Sequence, residues 1–242
     1  MTKFQKSKKA FAGLTCLLFV LTVLYPTGVF LSACFGYQFE PVSFTAFAVL
    51  IAVLSVCSVA LDLTFRIRQV AKATQILWAI ITPLSLVNAV FLILGYSRIW
   101  IIASALLSAG CCFFLAVEHG KPLVLKIVAL ALTGLMVLPI GYLSFFAMLL
   151  GNFGKNTVVK TVESPSGKYY AQVIDSDQGA LGGDTQVKVY ENKNINLLLF
   201  KIEKKPQSVY FGDWGEFRTM QIYWEGDGCL IINSVSHYIE MP

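Results

Sequence analysis

Two acidic stretches in the C-terminal part of the chain hold the residues best suited to chemistry. The first is Asp175-Ser176-Asp177-Gln178-Gly179, with Asp184 beyond it. Alternating carboxylates suggest calcium, but that ion takes six or more oxygen ligands, and an EF-hand ends in a bidentate Glu at its twelfth position. The twelfth residue counted from Asp175 is Gln186. We therefore predict no metal here and interpret Asp175 to Asp184 as a flexible, Gly-rich hairpin loop.

The second stretch, Asp213-Trp214-Gly215-Glu216, combines two carboxylates with an aromatic side chain. Such a set can form a glycan-cleaving site, but this close spacing is typical of a surface turn. Trp214 is better suited to contact a partner or to cover the core of its domain, because aromatic residues are enriched at interfaces. We therefore predict a partner-binding surface, whose candidate residues are Trp214, Asp213, Glu216, Asp175, Asp177 and Asp184.

No other pattern indicates catalysis, a cofactor or a metal. The two histidines are His119 and His237, and neither lies in a Cys/His cluster with metal-ligand spacing. His237 stands beside Tyr238 without a nucleophile pattern nearby. Five of the six cysteines lie in apolar runs, and Cys229 is alone in the C-terminal part. An internal disulfide in that part is thereby excluded.

The chain that must position these residues is largely apolar. It is 56% hydrophobic and only 14% charged over 242 residues, which is outside the range of ordinary soluble domains. The last apolar run holds 24 residues without a charge, more than the roughly 20 that cross a bilayer core. We predict a five-span transmembrane domain over residues 1–150, with spans at about 10–35, 42–61, 76–94, 99–117 and 127–150.

The first apolar run allows two interpretations. Its basic start also describes a secretory signal peptide, but the run is 26 residues long, which favours a retained anchor. Within it, Leu31-Ser32-Ala33-Cys34 resembles the lipobox of bacterial lipoproteins, in which cleavage leaves a lipidated Cys. The alternative is an ordinary Cys in a helix that packs through small residues. Both interpretations place the chain that follows on the outer side of the membrane.

The distribution of charge predicts the orientation. Residues 1–150 carry ten Lys/Arg and three Asp/Glu, a net charge of +7, whereas residues 151–242 carry nine and eleven, a net charge of −2. The basic residues flank apolar runs, which excludes a nucleic-acid footprint. The N-terminal tail and two alternate loops hold most of them. By the positive-inside rule, the N-terminus is cytoplasmic and five spans place the C-terminal domain outside.

The predicted spans themselves contain no charged residue. Asn88 is the most polar residue well inside a span, and we interpret it as an interhelical hydrogen-bond partner. Asp62, Arg66, Arg68 and Lys72 follow the second span and predict either an amphipathic helix on the inner leaflet or a solvated continuation of that span. The five predicted spans do not divide into two matching halves, which disfavours a stand-alone secondary transporter.

Residues 155–242 change to a strand-like period. About seven strands are predicted: Thr157–Glu163, Lys168–Ile174, Gln186–Glu191, Leu197–Glu203, Ser208–Phe211, Thr219–Trp224 and Cys229–Asn233. Ser164-Pro165-Ser166-Gly167 fits a type I turn, and Gly226-Asp227 is a two-residue hairpin signal. The expected fold is therefore a small all-β domain, an antiparallel sandwich or a curled sheet, attached to an α-helical membrane bundle.

Two resemblances rest on these strands and turns. Ser164 to Tyr169 resembles a blade of a β-propeller, but a closed propeller needs at least four blades and the domain is too short. Apolar spans followed by S-P-x-G-K-Y and V-x-V-Y, here Ser164–Tyr170 and Gln186–Tyr190, are similar to a family of Gram-positive bacterial membrane proteins of unknown function. The resemblance implies a bacterial cytoplasmic membrane and an extracytoplasmic β domain, but no activity.

The sequence thus favours a non-enzymatic protein of a bacterial cytoplasmic membrane. Its partners would be the lipid bilayer and another membrane or envelope protein, and not nucleic acid. It would act as a sensor, an assembly factor or an accessory subunit and would need no cofactor. A component of a membrane transporter is the first alternative, and polar residues lining a cavity between spans would favour it. An envelope enzyme is the second, and it would need a cleft that joins Asp175, Asp184, Asp213 and Glu216.

Overall fold

The chain forms an N-terminal helical region followed by antiparallel β-sheets in a computed structural model. The structure describes residues 3–67, 70–95, 98–119, 155–179 and 182–239, with isolated positions between 127 and 142. The chain divides into two compact units. The helical unit comprises Met1–Leu31 and Glu40–Leu149, and the β unit comprises Ser32–Phe39 and Leu150–Pro242. The sequence prediction did not assign 32–39 to the β unit.

Four helices within the described residues are long and apolar enough to cross a membrane. They are α1 (Lys3–Cys34), α2 (Phe44–Phe65), α3 (Lys72–Gly95) and α4 (Ile99–His119). These helices support a membrane-embedded, multi-pass protein and match the first four predicted spans. The predicted fifth span, 127–150, lies almost entirely outside the described residues.

The helices extend beyond the predicted spans into the charged residues that were expected to lie outside the spans. α2 continues past residue 61 to Phe65 and ends at Arg66, whose backbone is left-handed with φ of 45°. The predicted amphipathic helix between Asp62 and Lys72 is therefore wrong. The alternative, a continuation of the second span, describes the backbone correctly, but Asp62 is 5% exposed rather than solvated. α4 likewise ends at His119, which is also buried.

Small side chains allow the helices of this unit to pack closely. Ala105 and Ala109 recur at four-residue spacing, as do Ser108 and Cys112, and all four are buried on one face of α4. Leu107, between them, is 53% exposed. A large apolar side chain on the outer surface of a membrane bundle faces lipid, so its exposure here costs nothing.

The described residues of the β unit form three antiparallel sheets. The largest has the order β2-β3-β4-β7, with β2 at Lys155–Glu163, β3 at Tyr169–Asp177, β4 at Gly183–Glu191 and β7 at Gln207–Asp213. The second has the order β10-β9-β8, with β8 at Ile222–Trp224, β9 at Cys229–Ile232 and β10 at Val235–Tyr238. The third has the order β1-β6-β5, with β1 at Tyr37–Pro41, β5 at Asn194–Asn196 and β6 at Phe200–Lys204.

The core of the β unit lies between the first two sheets. Alternate residues of the large sheet point inward, and side chains from β8, β9 and the segment before them cover them. The buried cluster consists of Tyr169, Ala171, Val173, Val187, Val189, Met220, Ile222, Leu230 and Ile232. Two sheets that share one apolar core form a sandwich, which confirms the predicted antiparallel β domain.

The two turns singled out in the sequence contact one another. Gly167 N donates to Ser164 O at 2.8 Å, which closes the predicted turn. Ser166 N donates to the Asp227 carboxylate at 3.0 Å. Hydrogen bonds from Ser166 lower the pKa of Asp227. This contact therefore stabilises the fold at pH values above the ordinary Asp pKa of about 3.9. The stabilisation is lost as the pH falls through the lower pKa of Asp227 in the folded state.

Some strand boundaries were predicted wrongly. The loop around Gly226 contains three residues between Glu225 and Cys229, whose backbones are hydrogen-bonded, rather than the two predicted. The predicted strand Leu197–Glu203 begins only at Phe200, and Leu197–Leu199 form a loop closed by a 2.7 Å bond from Leu197 N to Phe200 O. Before it, the polar residues 192–196 predict a turn, but Asn194–Asn196 forms β5 instead.

Candidate functional site

The predicted flexible loop is mostly a regular hairpin. β3 extends to Asp177 and β4 begins at Gly183, so Asp175, Asp177 and Asp184 all lie on strands. Gln178 N donates to Gly182 O at 2.8 Å across the short connection. The prediction of a long flexible loop from Asp175 to Asp184 is therefore wrong, since the pairing of β3 with β4 continues almost to the turn.

The strand register divides the predicted acidic residues between two faces of the large sheet. Asp177 pairs with Gly183, whereas Asp184 pairs with Asp213 across β4 and β7. Paired residues share a face and neighbours along a strand alternate. Asp184 and Asp213 therefore lie on one face, and Asp177 lies on the other. In the described residues no three His, Cys, Asp or Glu side chains are grouped to hold a metal ion.

Glu216 is committed to structural hydrogen bonds. Its carboxylate accepts from Tyr210 Oη at 2.6 Å, from Asn233 Nδ2 at 2.9 Å and from Asp213 N at 3.1 Å. The bond to Glu216 raises the pKa of Tyr210, since it holds the phenol proton in place. Glu216 therefore ties the turn that carries Trp214 to β7 and to the loop after β9.

Trp214 lies against β4 but keeps much of its surface open. A Cβ atom added to Gly183 would lie 2.6 Å from Trp214 Cδ1, so the indole packs on the space that this glycine leaves. The Trp214 side chain is nevertheless 58% exposed. The indole is therefore held by the backbone beneath it while its outer surface remains available for contact, which suits an interface anchor.

A second candidate site lies in the helical unit and was missed in the sequence. His119 Nε2 and Asp62 Oδ1 are 2.9 Å apart, and the two side chains are 3% and 7% exposed. The Phe11 ring lies 5.5 Å from the His119 ring and 6.1 Å from Trp78. Residues from α1, α2, α3 and α4 therefore meet around one buried imidazole–carboxylate pair.

Buried polar contacts continue from this pair along the bundle. Two helical turns away, Ser55 Oγ lies 2.9 Å from Ser108 Oγ and 3.8 Å from Cys112 Sγ. Thr82 Oγ1 donates to Cys112 O at 3.2 Å. The predicted interhelical role of Asn88 is confirmed, because its amide donates to Thr22 O at 2.7 Å. We call these side chains the polar seam, which comprises Asp62, His119, Ser55, Ser108, Cys112, Thr82 and Asn88.

A cleft of about 330 Å³ reaches the carboxylate end of the seam. It is lined by Asp62, Leu63, Arg66, Ile67, Phe114 and Glu118. Glu118 and Arg66 are exposed, whereas Asp62 is buried. Ionisable residues buried between membrane helices are rare and mark ion pathways, proton relays or substrate sites. An imidazole hydrogen-bonded to a carboxylate can take up or release a proton, so this pair could carry such chemistry.

The sequence did contain a signal for the seam. Ser55, Ser58 and Asp62 recur at helical spacing, and Cys112 and His119 are seven residues apart. These intervals place each set on one face of a helix. The signal was missed because both ionisable residues were assigned to loops at the ends of apolar runs.

Comparison of the chain with protein-family models, curated proteins and solved structures finds no match. The similarity to a Gram-positive membrane-protein family therefore remains a prediction from Ser164–Tyr170 and Gln186–Tyr190.

Proposed function

We propose that the protein is a five-span component of a bacterial cytoplasmic membrane that binds another membrane or envelope protein through its external β unit. It would act as a sensor, an assembly factor or an accessory subunit, with a cytoplasmic N-terminus. The observation that carries the proposal is the half-exposed Trp214 packed on Gly183. A large aromatic side chain that is already ordered loses little conformational freedom on binding.

The third sheet supports the proposed topology. β1 follows α1 directly and lies beside β6 of the C-terminal region. Residues in one sheet must be on the same side of a membrane, so an even number of crossings separates β1 from β6. α2, α3 and α4 are three helices between them. A single further crossing within 120–154 makes the number four, which agrees with the fifth span predicted at 127–150.

Labelling of introduced cysteines tests this topology. In a full-length variant whose six native cysteines are replaced by Ser or Ala, Ser166→Cys and Lys193→Cys should react with an impermeant thiol reagent on intact spheroplasts. Arg68→Cys and Lys121→Cys should react only after the membrane is permeabilised, because their loops are predicted to be cytoplasmic. The reverse labelling pattern would contradict the five-span topology.

Trp214→Ala tests the proposed binding surface. Truncation of an interface anchor costs about 2 kcal/mol or more, which corresponds to a roughly 30-fold weaker complex. We therefore expect much less cross-linking of the full-length variant to its membrane partner in cells, with a melting temperature close to that of the parent. Tyr223→Ala is the matched control, because Tyr223 is a similarly exposed aromatic on β8.

Two outcomes would contradict the role of Trp214. One is a sharp fall in the melting temperature with a loss of cross-linking only in proportion, which would make Trp214 a core residue. The other is an equal loss of cross-linking in Tyr223→Ala, which would place the binding surface elsewhere on the β unit.

A component of a membrane transporter is the second candidate function. The polar seam favours it, since buried polar side chains between spans are the feature expected of that class. If the helical unit carries a transport function, Asp62→Asn should abolish that function in cells, whereas cross-linking through Trp214 should be retained. An envelope enzyme is disfavoured, because Asp175, which pairs with Thr185, lies on the opposite sheet face from Asp184 and Asp213, and Glu216 is committed to other contacts.

A further inference from the structure

The loop between β5 and β6 presents an apolar tip. Leu198 is 96% exposed, and its neighbours Leu197 and Ile195 are 46% and 55% exposed. Single exposed apolar residues are ordinary on protein surfaces, but a contiguous group marks a site of contact with a protein or a membrane. We call Ile195 and Leu197–Leu199 the apolar tip.

The chain itself holds the neighbouring strand at the membrane surface. α1 ends at Cys34 and β1 begins at Tyr37, while β1 ends at Pro41 and α2 begins at Phe44. Three residues span at most about 11 Å, so each end of β1 lies within that distance of the end of an apolar helix. The location of β1 follows from these covalent connections.

The apolar tip is attached to β1 through β6. Lys205 N donates to Gly36 O at 3.0 Å, and the Phe39 and Phe200 rings stack with centroids 4.7 Å apart. Phe200 directly follows the tip, and it is buried. Adjacent strands are about 4.8 Å apart, so β5 and β6 both lie within roughly 10 Å of β1.

We propose that the apolar tip inserts into the interface of the lipid bilayer beside the ends of α1 and α2. The boundary between headgroups and acyl chains accepts Leu and Ile side chains that would otherwise contact water. Lys193, which is exposed just before β5, suits the phosphate of a lipid headgroup. The β unit would then be held against the membrane by lipid as well as by its covalent connections.

A fluorescent label on the tip tests this proposal. The full-length protein, with its native cysteines replaced, is placed in nanodiscs of phosphatidylcholine and phosphatidylglycerol and labelled with bimane at Leu198→Cys. We expect emission at shorter wavelengths and a loss of emission when the lipids are brominated near the headgroup. Val235→Cys is the matched control, because Val235 is exposed on β10 and should be quenched by aqueous iodide instead.

Two results would overturn the proposal. Quenching of the Leu198 label by iodide to the same extent as the Val235 label would show that water surrounds the tip. Protection of the Leu198 label from both quenchers would show that protein, from this chain or a second copy, covers it. Neither result depends on Trp214, so the proposed partner-binding function is tested separately.

Discussion

His119→Leu is expected to lower the free energy of unfolding of the helical unit by about 3–5 kcal/mol, because removal of one partner leaves a buried charge uncompensated. The variant would leave the Asp62 carboxylate 5% exposed without the imidazole that lies 2.9 Å from it. Reactivity of Cys112, which is fully buried, reports unfolding when the other five cysteines are replaced. We expect Cys112 to react at a clearly lower temperature in His119→Leu.

Two further variants separate the pair from the general packing of the bundle. The double variant Asp62→Leu/His119→Leu should lose less stability than His119→Leu alone, since replacement of both members of a buried pair by apolar residues is often nearly neutral. Glu118→Gln is the surface control, because Glu118 is exposed beside His119 and should change little. If the loss of stability in the double variant equals the sum of the losses in His119→Leu and Asp62→Leu, Asp62 and His119 do not stabilise one another.

The spans could be predicted from the sequence because apolar length alone identifies a membrane helix. Their ends could not, since hydropathy treats a charged residue as the end of a span. Asp62 and His119 remain helical and buried because each supplies the other with a hydrogen bond. Such compensation depends on a residue 57 positions away, and no local pattern reveals it.

In the β unit, turn residues predicted the observed structure better than apolar runs did. Ser164 to Gly167 forms the predicted turn, because Pro and Gly at those positions favour it. Leu197–Leu199 was predicted as strand because a short apolar run resembles a buried strand. Leu197 and Leu198 are exposed instead, because they lie in the loop before β6. The strand that does form, β6, pairs with β1, which lies more than 150 residues earlier in the chain.

The binding role of the candidate surface stays a prediction. Trp214 is exposed, as that role requires. The sequence could not show that Asp184 faces Asp213 while Asp177 lies on the other face, because the registers between β3 and β4 and between β4 and β7 decide this. A shift of one residue would reverse every side chain of β7.

Glu216→Ala is expected to destabilise the β unit by roughly 2–4 kcal/mol, because it removes three hydrogen bonds to a charged group. The loss is smaller than the sum of three full bonds, since water can replace Glu216 as the partner of the exposed residues Asp213 and Asn233. Without Glu216, Tyr210 and Asn233 lose their shared acceptor and the turn that carries Trp214 loses its bond from Asp213 N. Thermal unfolding of the full-length protein, followed by tyrosine and tryptophan fluorescence, measures the loss.

Glu225→Ala is the control for this prediction, because Glu225 is also exposed on a turn of the β unit but its described bond is a backbone one. It should leave the melting temperature nearly unchanged. Glu216→Gln, which keeps an acceptor of the same shape, should fall between the parent and Glu216→Ala. If Glu216→Ala melts with the parent yet loses its partner, the carboxylate itself contacts the partner, and Glu216 belongs to the binding surface as the sequence first indicated.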